Sequence, residues 1–302
     1  MYKVIKVTPY FSERLWGGQK LADFGFQLPT NDLYGEAWVI SALDNGMSYI
    51  ANGSETGVSL KTFFANHPEY FGTTDKEFPL LSKIITANDY LSVQVHPDDE
   101  YSLKHNKMLG KPECWYILDC PIDAKMIYGH YAQTKAELIQ LVEKKAWTQL
   151  FTEVKVQKGD FLYVPPGKVH AITPGVTVFE LQRSSDITYR FYDFDRADKD
   201  GNFRPLHLQE CFDVTTVPDS TNQIVHRNEG ILIDNEYFTL HLLTKTRELD
   251  LNTIKWAQVT VVEGKITIGT TELLAGESAI TVELAQKLTI NVKGKALLSY
   301  KR

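Results

Sequence analysis

Gly159-Asp-Phe-Leu-Tyr-Val-Pro165-Pro166-Gly167-Lys-Val-His170 lays down a strand, a tight turn and a histidine on the strand that follows. Aromatic and β-branched side chains in Phe161, Leu162, Tyr163 and Val164 favour a pleated strand. Pro165 and Pro166 then fix φ, and Gly167 supplies a residue free to take φ > 0, so the next strand starts near Lys168. A lone histidine on an apolar strand is usually a satisfied core residue, and His170 needs partners to be more than that.

The partners come from two upstream runs. In Leu91-Ser-Val-Gln94-Val-His96-Pro97-Asp98-Asp99-Glu100, period-2 geometry puts Ser92, Gln94 and His96 on one face and Val93 and Val95 on the other. Gly110-Lys111-Pro112-Glu113-Cys114-Trp115-Tyr116-Ile117-Leu118 predicts another strand, with Pro112 at its start and the Glu113 carboxylate at its entrance. Two imidazoles, a carboxylate and a weak amide oxygen make a mixed N/O set with open coordination. Such a set suits a catalytic Zn²⁺ better than a closed structural one, while iron and manganese stay open on ligand type alone.

The order Gly, five residues, Pro, one residue, Gly, two residues, His resembles the second conserved motif of the cupin superfamily, with Pro174 where an Asn is usual. Adding Pro79-Leu-Leu-Ser82-Lys83, Gln94-Val-His96-Pro-Asp-Asp, Gly110-Lys-Pro-Glu-Cys-Trp-Tyr, Pro165-Pro-Gly-Lys-Val-His-Ala-Ile172 and Glu180-Leu-Gln-Arg-Ser-Ser-Asp-Ile-Thr-Tyr-Arg190, the chain resembles the zinc-dependent mannose-6-phosphate isomerases in their short bacterial form. The likeness runs from about Tyr10 to His207 and more loosely to the end. It departs from the longer pattern by lacking a large helical insertion and by reading Ser-Ser-Asp-Ile-Thr-Tyr before the arginine.

The resemblance implies a mainly β protein: a cupin-type double-stranded jelly-roll barrel with helical insertions, then a smaller C-terminal jelly-roll unit. It implies one Zn²⁺ per chain on Gln94, His96, Glu113 and His170, an active-site arginine at Arg190, and proton-transfer candidates at Lys111 and Glu180. Trp16 is expected to line the sugar pocket, with Ser82 and Lys83 as candidate substrate contacts. The implied chemistry is reversible aldose-ketose isomerisation of mannose 6-phosphate and fructose 6-phosphate, moving a proton between C1 and C2. Alternatives are another metal-dependent sugar-phosphate isomerase or epimerase, or a non-catalytic cupin sugar sensor. A sensor would tolerate loss of Lys111, Glu180 and Arg190, and all are present.

Composition bounds the reading independently. A chain of 302 residues, 43% hydrophobic and 23% charged, can bury a sizeable core. A net charge of −6 offers no general basic surface for nucleic acid or anionic lipid, so a phosphorylated substrate must meet local positive charge. No apolar run approaches the roughly 18 residues of a membrane span. Cys114, Cys120 and Cys211 are an odd set with no Cys-x-x-Cys pair, which predicts reduced thiols. The expected setting is the cytoplasm, as a monomer or weak homo-oligomer.

Turn residues recur between short apolar runs, as in a β-rich chain. Helices are predicted after Ser59, from Pro97-Asp98 onward, and after Thr134, where Thr134-Lys-Ala-Glu137 reads as a capping box. The polar stretch Pro218-Asp-Ser-Thr-Asn222 predicts a link between a metal-binding catalytic unit, residues 1–217, and a non-metal β unit, residues 218–302. In the latter, Val259 to Gly269 predicts two short strands about Gly264, and Leu274-Ala-Gly276-Glu-Ser-Ala-Ile280 a degenerate cupin turn.

Overall fold

The computed structural model describes residues 3–220, 223–250, 254–282 and 287–301. Its frame is three antiparallel sheets in layers, with helices at the connections, which is the mainly β architecture the sequence predicts. A seven-stranded sheet runs in the order Ile224–His226, Asp160–Val164, Glu113–Asp119, Thr177–Arg183, Leu80–Thr86, Tyr34–Ile40, Tyr10–Gly18. A five-stranded sheet runs Tyr189–Tyr192, Val93–Val95, His170–Ala171, Lys125–His130, Phe151–Lys155.

Side-chain alternation ties the layers together. Along Glu113–Asp119, Trp115 and Ile117 pack with Met126, Tyr128 and Ile172 from the region of the five-stranded sheet. Cys114, Tyr116 and Leu118 point the other way and join Leu240, Leu242, Trp256 and Leu297 of the third sheet. The seven-stranded sheet is therefore buried on both faces, which is why its central strands read as near-continuous apolar runs. Each fully buried Leu, Ile or Phe in these seams contributes about 1.5–3 kcal/mol before chain entropy is subtracted.

The third, nine-stranded sheet is built mostly from the C-terminal segment, but strand Lys3–Thr8 pairs with Ser278–Val282 and so lies in it as well. The sequence predicts two short strands about Gly264; the structure has instead one strand, Trp256–Ile268. A register shift between Val261 and Glu263, with Gly264 paired to Gly294, lets the chain bend without leaving the ladder. Gly276, at φ 86°, makes the expected turn into Ser278–Val282. Of the predicted link, Thr221 and Asn222 lie outside the described residues.

The predicted helices form as Leu60–Asn66, Asp99–His105 and Lys135–Glu143, each capped by the residue before it. Ser59, Asp98 and Thr134 accept from the backbone N–H of Thr62, Tyr101 and Glu137 respectively. The Glu137 carboxylate closes onto the N–H of Gln133 rather than Thr134, one residue outside the usual box. Short helices at Pro68–Phe71 and Trp147–Leu150 carry too few turns for periodicity to reveal them, and Leu208–Val214, as long as two of the predicted helices, has no side-chain cap to mark its start. None of the described helices is long and apolar enough to cross a membrane.

Candidate metal centre and active site

Pro165-Pro-Gly167 turns the chain as the sequence predicts. Gly167 has φ 83°, and a Cβ there would collide with Thr216. Its N–H donates to the carbonyl of His96 at 2.9 Å, which ties the turn before His170 to the end of the neighbouring strand. His170 then pairs with Gln94, and Gln94 with Arg190, placing these three abreast on adjacent strands. From the facing sheet, Glu113 sits beside Gln182, while Glu180 pairs with both Trp115 and Lys83.

His96, Glu113 and His170 are 1%, 0% and 0% exposed, and their ligand atoms lie within 4.8 Å of one another. Nε2 of His96 is 3.4 Å from one Glu113 oxygen, and Nε2 of His170 is 3.3 Å from the other. Both rings are held from behind: Nδ1–H of His96 donates to the Ile187 carbonyl and Nδ1–H of His170 to the Lys168 carbonyl, each at 2.8 Å. With the proton fixed on Nδ1, the Nε2 lone pairs face the carboxylate, the orientation that metal-binding histidines adopt.

The electrostatics agree with a neutral-imidazole, ionised-carboxylate set. Burial, assisted by the Lys111 charge, pushes His96 down to about 3, and burial lowers His170 as well. Burial works against ionisation of Glu113, but the Lys111 charge holds it well below the usual carboxylate range. Neither Glu113 oxygen has a hydrogen bond of good geometry among the described residues. A fully buried carboxylate without such partners, facing two imidazole lone pairs, is a donor set that fits a divalent cation.

The cluster opens on a cavity of about 300 Å³, whose lining includes Trp16, Lys83, Gln94, Lys111, His170, Glu180 and Arg190. Gln94 donates through its side-chain amide to Nε2 of His170 at 3.2 Å. Lys111 Nζ lies 3.1 Å from Glu113 and donates to Nε2 of His96 at 3.3 Å. Glu180 Oε1 pairs with Lys83 Nζ at 3.0 Å, and Oε2 accepts from the Trp115 indole at 2.8 Å. Burial raises the Glu180 carboxyl above its ordinary range, against the opposing pull of Lys83. The Nε of Arg190 is buried with no hydrogen-bond partner among the described residues.

Ser82 is not brought to this cavity. Its neighbour Lys83 faces the lining, so alternation turns Ser82 to the back, where Gln258 of the third sheet donates to its hydroxyl at 2.7 Å. Conversely, the cavity wall includes Arg14, Glu36, Asn45, Asp186, Thr188 and Arg204, to which the sequence reading gives no role. Arg14 and Glu36 flank the aromatic and glycine pairs at Trp16-Gly17-Gly18 and Tyr34-Gly35, which is the one signal that would have pointed to them.

Comparison with known proteins bears on the whole chain. Residues 4–115 match the family model for the catalytic domain of type I phosphomannose isomerase. The chain is 43% identical over 267 residues to a mannose-6-phosphate isomerase of Bacillus subtilis (85% of this chain, 84% of the relative). It is 41% identical over 268 residues to that of Streptococcus mutans, again covering 85% and 84%. The crystal structure of a B. subtilis mannose 6-phosphate isomerase superposes with a TM-score of 0.90 at 34% identity, over 98% of this chain and 99% of that one. An apo-form structure from Salmonella typhimurium shares the fold, with a TM-score of 0.79 at 16% identity over the full length of both chains.

Proposed function

Because the chain belongs to the type I phosphomannose isomerase family, we propose that the cavity beside His96, Glu113 and His170 interconverts mannose 6-phosphate and fructose 6-phosphate. The observation that carries the reading is the meeting of that buried donor set with Glu180, Lys83 and Arg190 in one cavity. We assign Zn²⁺, one per chain, to His96, Glu113 and His170, with Gln94 as the fourth ligand once its amide turns to present oxygen where its NH₂ now meets His170. Held there, the ion supplies Lewis acidity to the carbonyl and hydroxyl oxygens of the open-chain sugar.

The protein's own groups do the rest. Glu180 carries the proton between C1 and C2, because it is a carboxylate on the cavity wall whose burial raises its proton affinity toward the operating range. Its grip by Trp115 and Lys83 fixes which face of the sugar it meets. Arg190, whose Nε–H has no hydrogen-bond partner among the described residues, offers positive charge to the oxygens that become anionic as the proton leaves carbon. Lys111, beside the metal ligands, adds a second positive group on the same side. Trp16, 3% exposed, forms an apolar wall of the sugar pocket, and Lys83 acts on substrate through Glu180.

We assign residues 1–217 to the catalytic unit and 218–302 to a non-metal β unit that braces it; in support, the residues lining the cavity all fall between Arg14 and Arg204. The same reading places the enzyme in the cytoplasm as a monomer or weak homo-oligomer, with no nucleic-acid or membrane partner, in keeping with three free cysteines. A coupled assay following fructose 6-phosphate from mannose 6-phosphate tests the function. Turnover is expected in the native chain and is lost in Glu180→Gln; no turnover of mannose 6-phosphate by the native chain would refute the reading.

A further inference from the structure

Four charges of alternating sign line up along one wall of the cavity. Arg14 Nε donates to Glu36 Oε1 at 2.9 Å, Glu36 Oε2 lies 3.9 Å from Lys83 Nζ, and Lys83 Nζ lies 3.0 Å from Glu180 Oε1. The Glu36, Lys83 and Glu180 side chains are 9% exposed or less, whereas Arg14, at 34%, forms the outer end. Glu36 is held in place by the Trp38 indole N–H, and Lys83 sits 4.9 Å over the Trp38 ring. Lys83 is thus shared between two carboxylates on the cavity wall.

We propose that Glu36 is a positioning residue for the isomerisation, acting through Lys83: by drawing on the Lys83 charge it keeps that ammonium from fully neutralising Glu180, so that Glu180 stays basic enough to take a proton from carbon. The proposal rests on Glu180 as the proton carrier. A carboxylate tied to an unshared ammonium in a buried site binds protons weakly and makes a poor base. Competition from a second carboxylate restores its basicity. Burial raises Glu180 and Lys83 opposes it.

Other charged and titratable groups also bear on Glu180. Glu113 and Lys111 act from the strand Glu113–Asp119 and the residues just before it, and Cys114 feels Glu180 from the opposite face of that strand. Trp115 donates its N–H, and His170 and Arg190 line the same cavity. Of these, Arg190 also feels the Arg14 charge, so Glu36→Gln is the cleaner probe of the row.

The test is a pH titration of the Glu180 side-chain carboxyl by ¹³C NMR on the metal-loaded protein, with the resonance assigned by its loss in Glu180→Gln. An alternating row predicts alternating signs. Glu36→Gln moves the midpoint to lower pH, and Arg14→Met moves it to higher pH, because Glu36 then pulls harder on Lys83. In a Lys83→Met background, Glu36→Gln has a smaller effect than in the native chain. The acid limb of kcat/KM moves in the same direction as each midpoint. An unchanged or raised midpoint in Glu36→Gln overturns the proposal, as does an equal effect with and without Lys83. If Glu36→Gln does not fold, Arg14→Met at the cavity rim carries the test, and a midpoint there that is unchanged or lowered overturns it. If Glu180→Gln keeps full turnover, the proton-carrier assignment fails, and the NMR result still reports separately on the coupling.

Discussion

The backbone N–H of Gly167 donates to the carbonyl of His96 at 2.9 Å, so the turn that delivers one candidate metal ligand is fastened to the residue that provides another. The two imidazoles, 4.8 Å apart between ring centroids, are set by one piece of backbone. Gly167 takes φ 83°, and an added Cβ would run into Thr216. Gly167→Ala is expected to cost about 1–3 kcal/mol from backbone strain alone. It should also lower metal content, read by thermal melting and elemental analysis; normal stability and normal metal would show that the turn does not set the site.

Removing a ligand and removing a charge should separate cleanly. His170→Ala is expected to lose the metal, since His170 supplies a buried Nε2 with its Nδ1 already committed to Lys168. Arg190→Ala is expected to keep metal and fold while turnover falls on the order of 10²–10³, the usual loss for one preorganised oxyanion partner. Steady-state kinetics and metal analysis on both variants check this, and near-normal turnover in Arg190→Ala would remove its assigned role.

Ser82 illustrates a limit of motif reading. Its expected place is with substrate, but its hydroxyl accepts from Gln258 across the interface with the third sheet, and Gln258 also donates to Ser299 within that sheet at 2.9 Å. Ser82→Ala is therefore expected to lower stability by about 1–3 kcal/mol through an under-satisfied buried amide. KM for mannose 6-phosphate should not change, which denaturant melts and kinetics will show.

The buried carboxylate of Glu36 predicts an acid-sensitive step in stability. Burial opposes its ionisation, yet Lys83 and Arg14 hold it at about 2 against an ordinary value of 4.5. With a lower value folded than unfolded, its contribution is fully present above 4.5 and is lost as pH falls from 4.5 toward 2. Denaturant unfolding of metal-free protein across that window should show a steeper loss for the native chain than for Glu36→Gln. Equal slopes would contradict the ion pairing.

Much of the site was legible because it rests on local rules. Strand parity put Gln94 and His96 on one face and Val93 and Val95, both 0% exposed, on the other. Turn chemistry at Pro165-Pro-Gly167 placed His170, and the start of the predicted strand at Glu113 matches the structure. The rest depends on contacts between distant segments. Alternation sends Ser82 and Lys83 to opposite faces, but which of them meets the cavity is set by partners such as Gln258, 176 residues away in sequence, and the Arg14–Glu36–Lys83–Glu180 row exists only once four strands pair in register. At Gly264 the sequence does not separate a turn between two strands from an irregularity inside one, because both use the same residue type.

Whether a metal on His96, Glu113 and His170 serves the isomerisation is tested most directly by measuring bound metal and mannose 6-phosphate turnover on the same sample, before chelation, after chelation, and after zinc is returned. One zinc per chain, loss of turnover in step with its removal, and recovery on return are expected, with none of these in His170→Ala. Full turnover by metal-free protein would contradict that role for the metal.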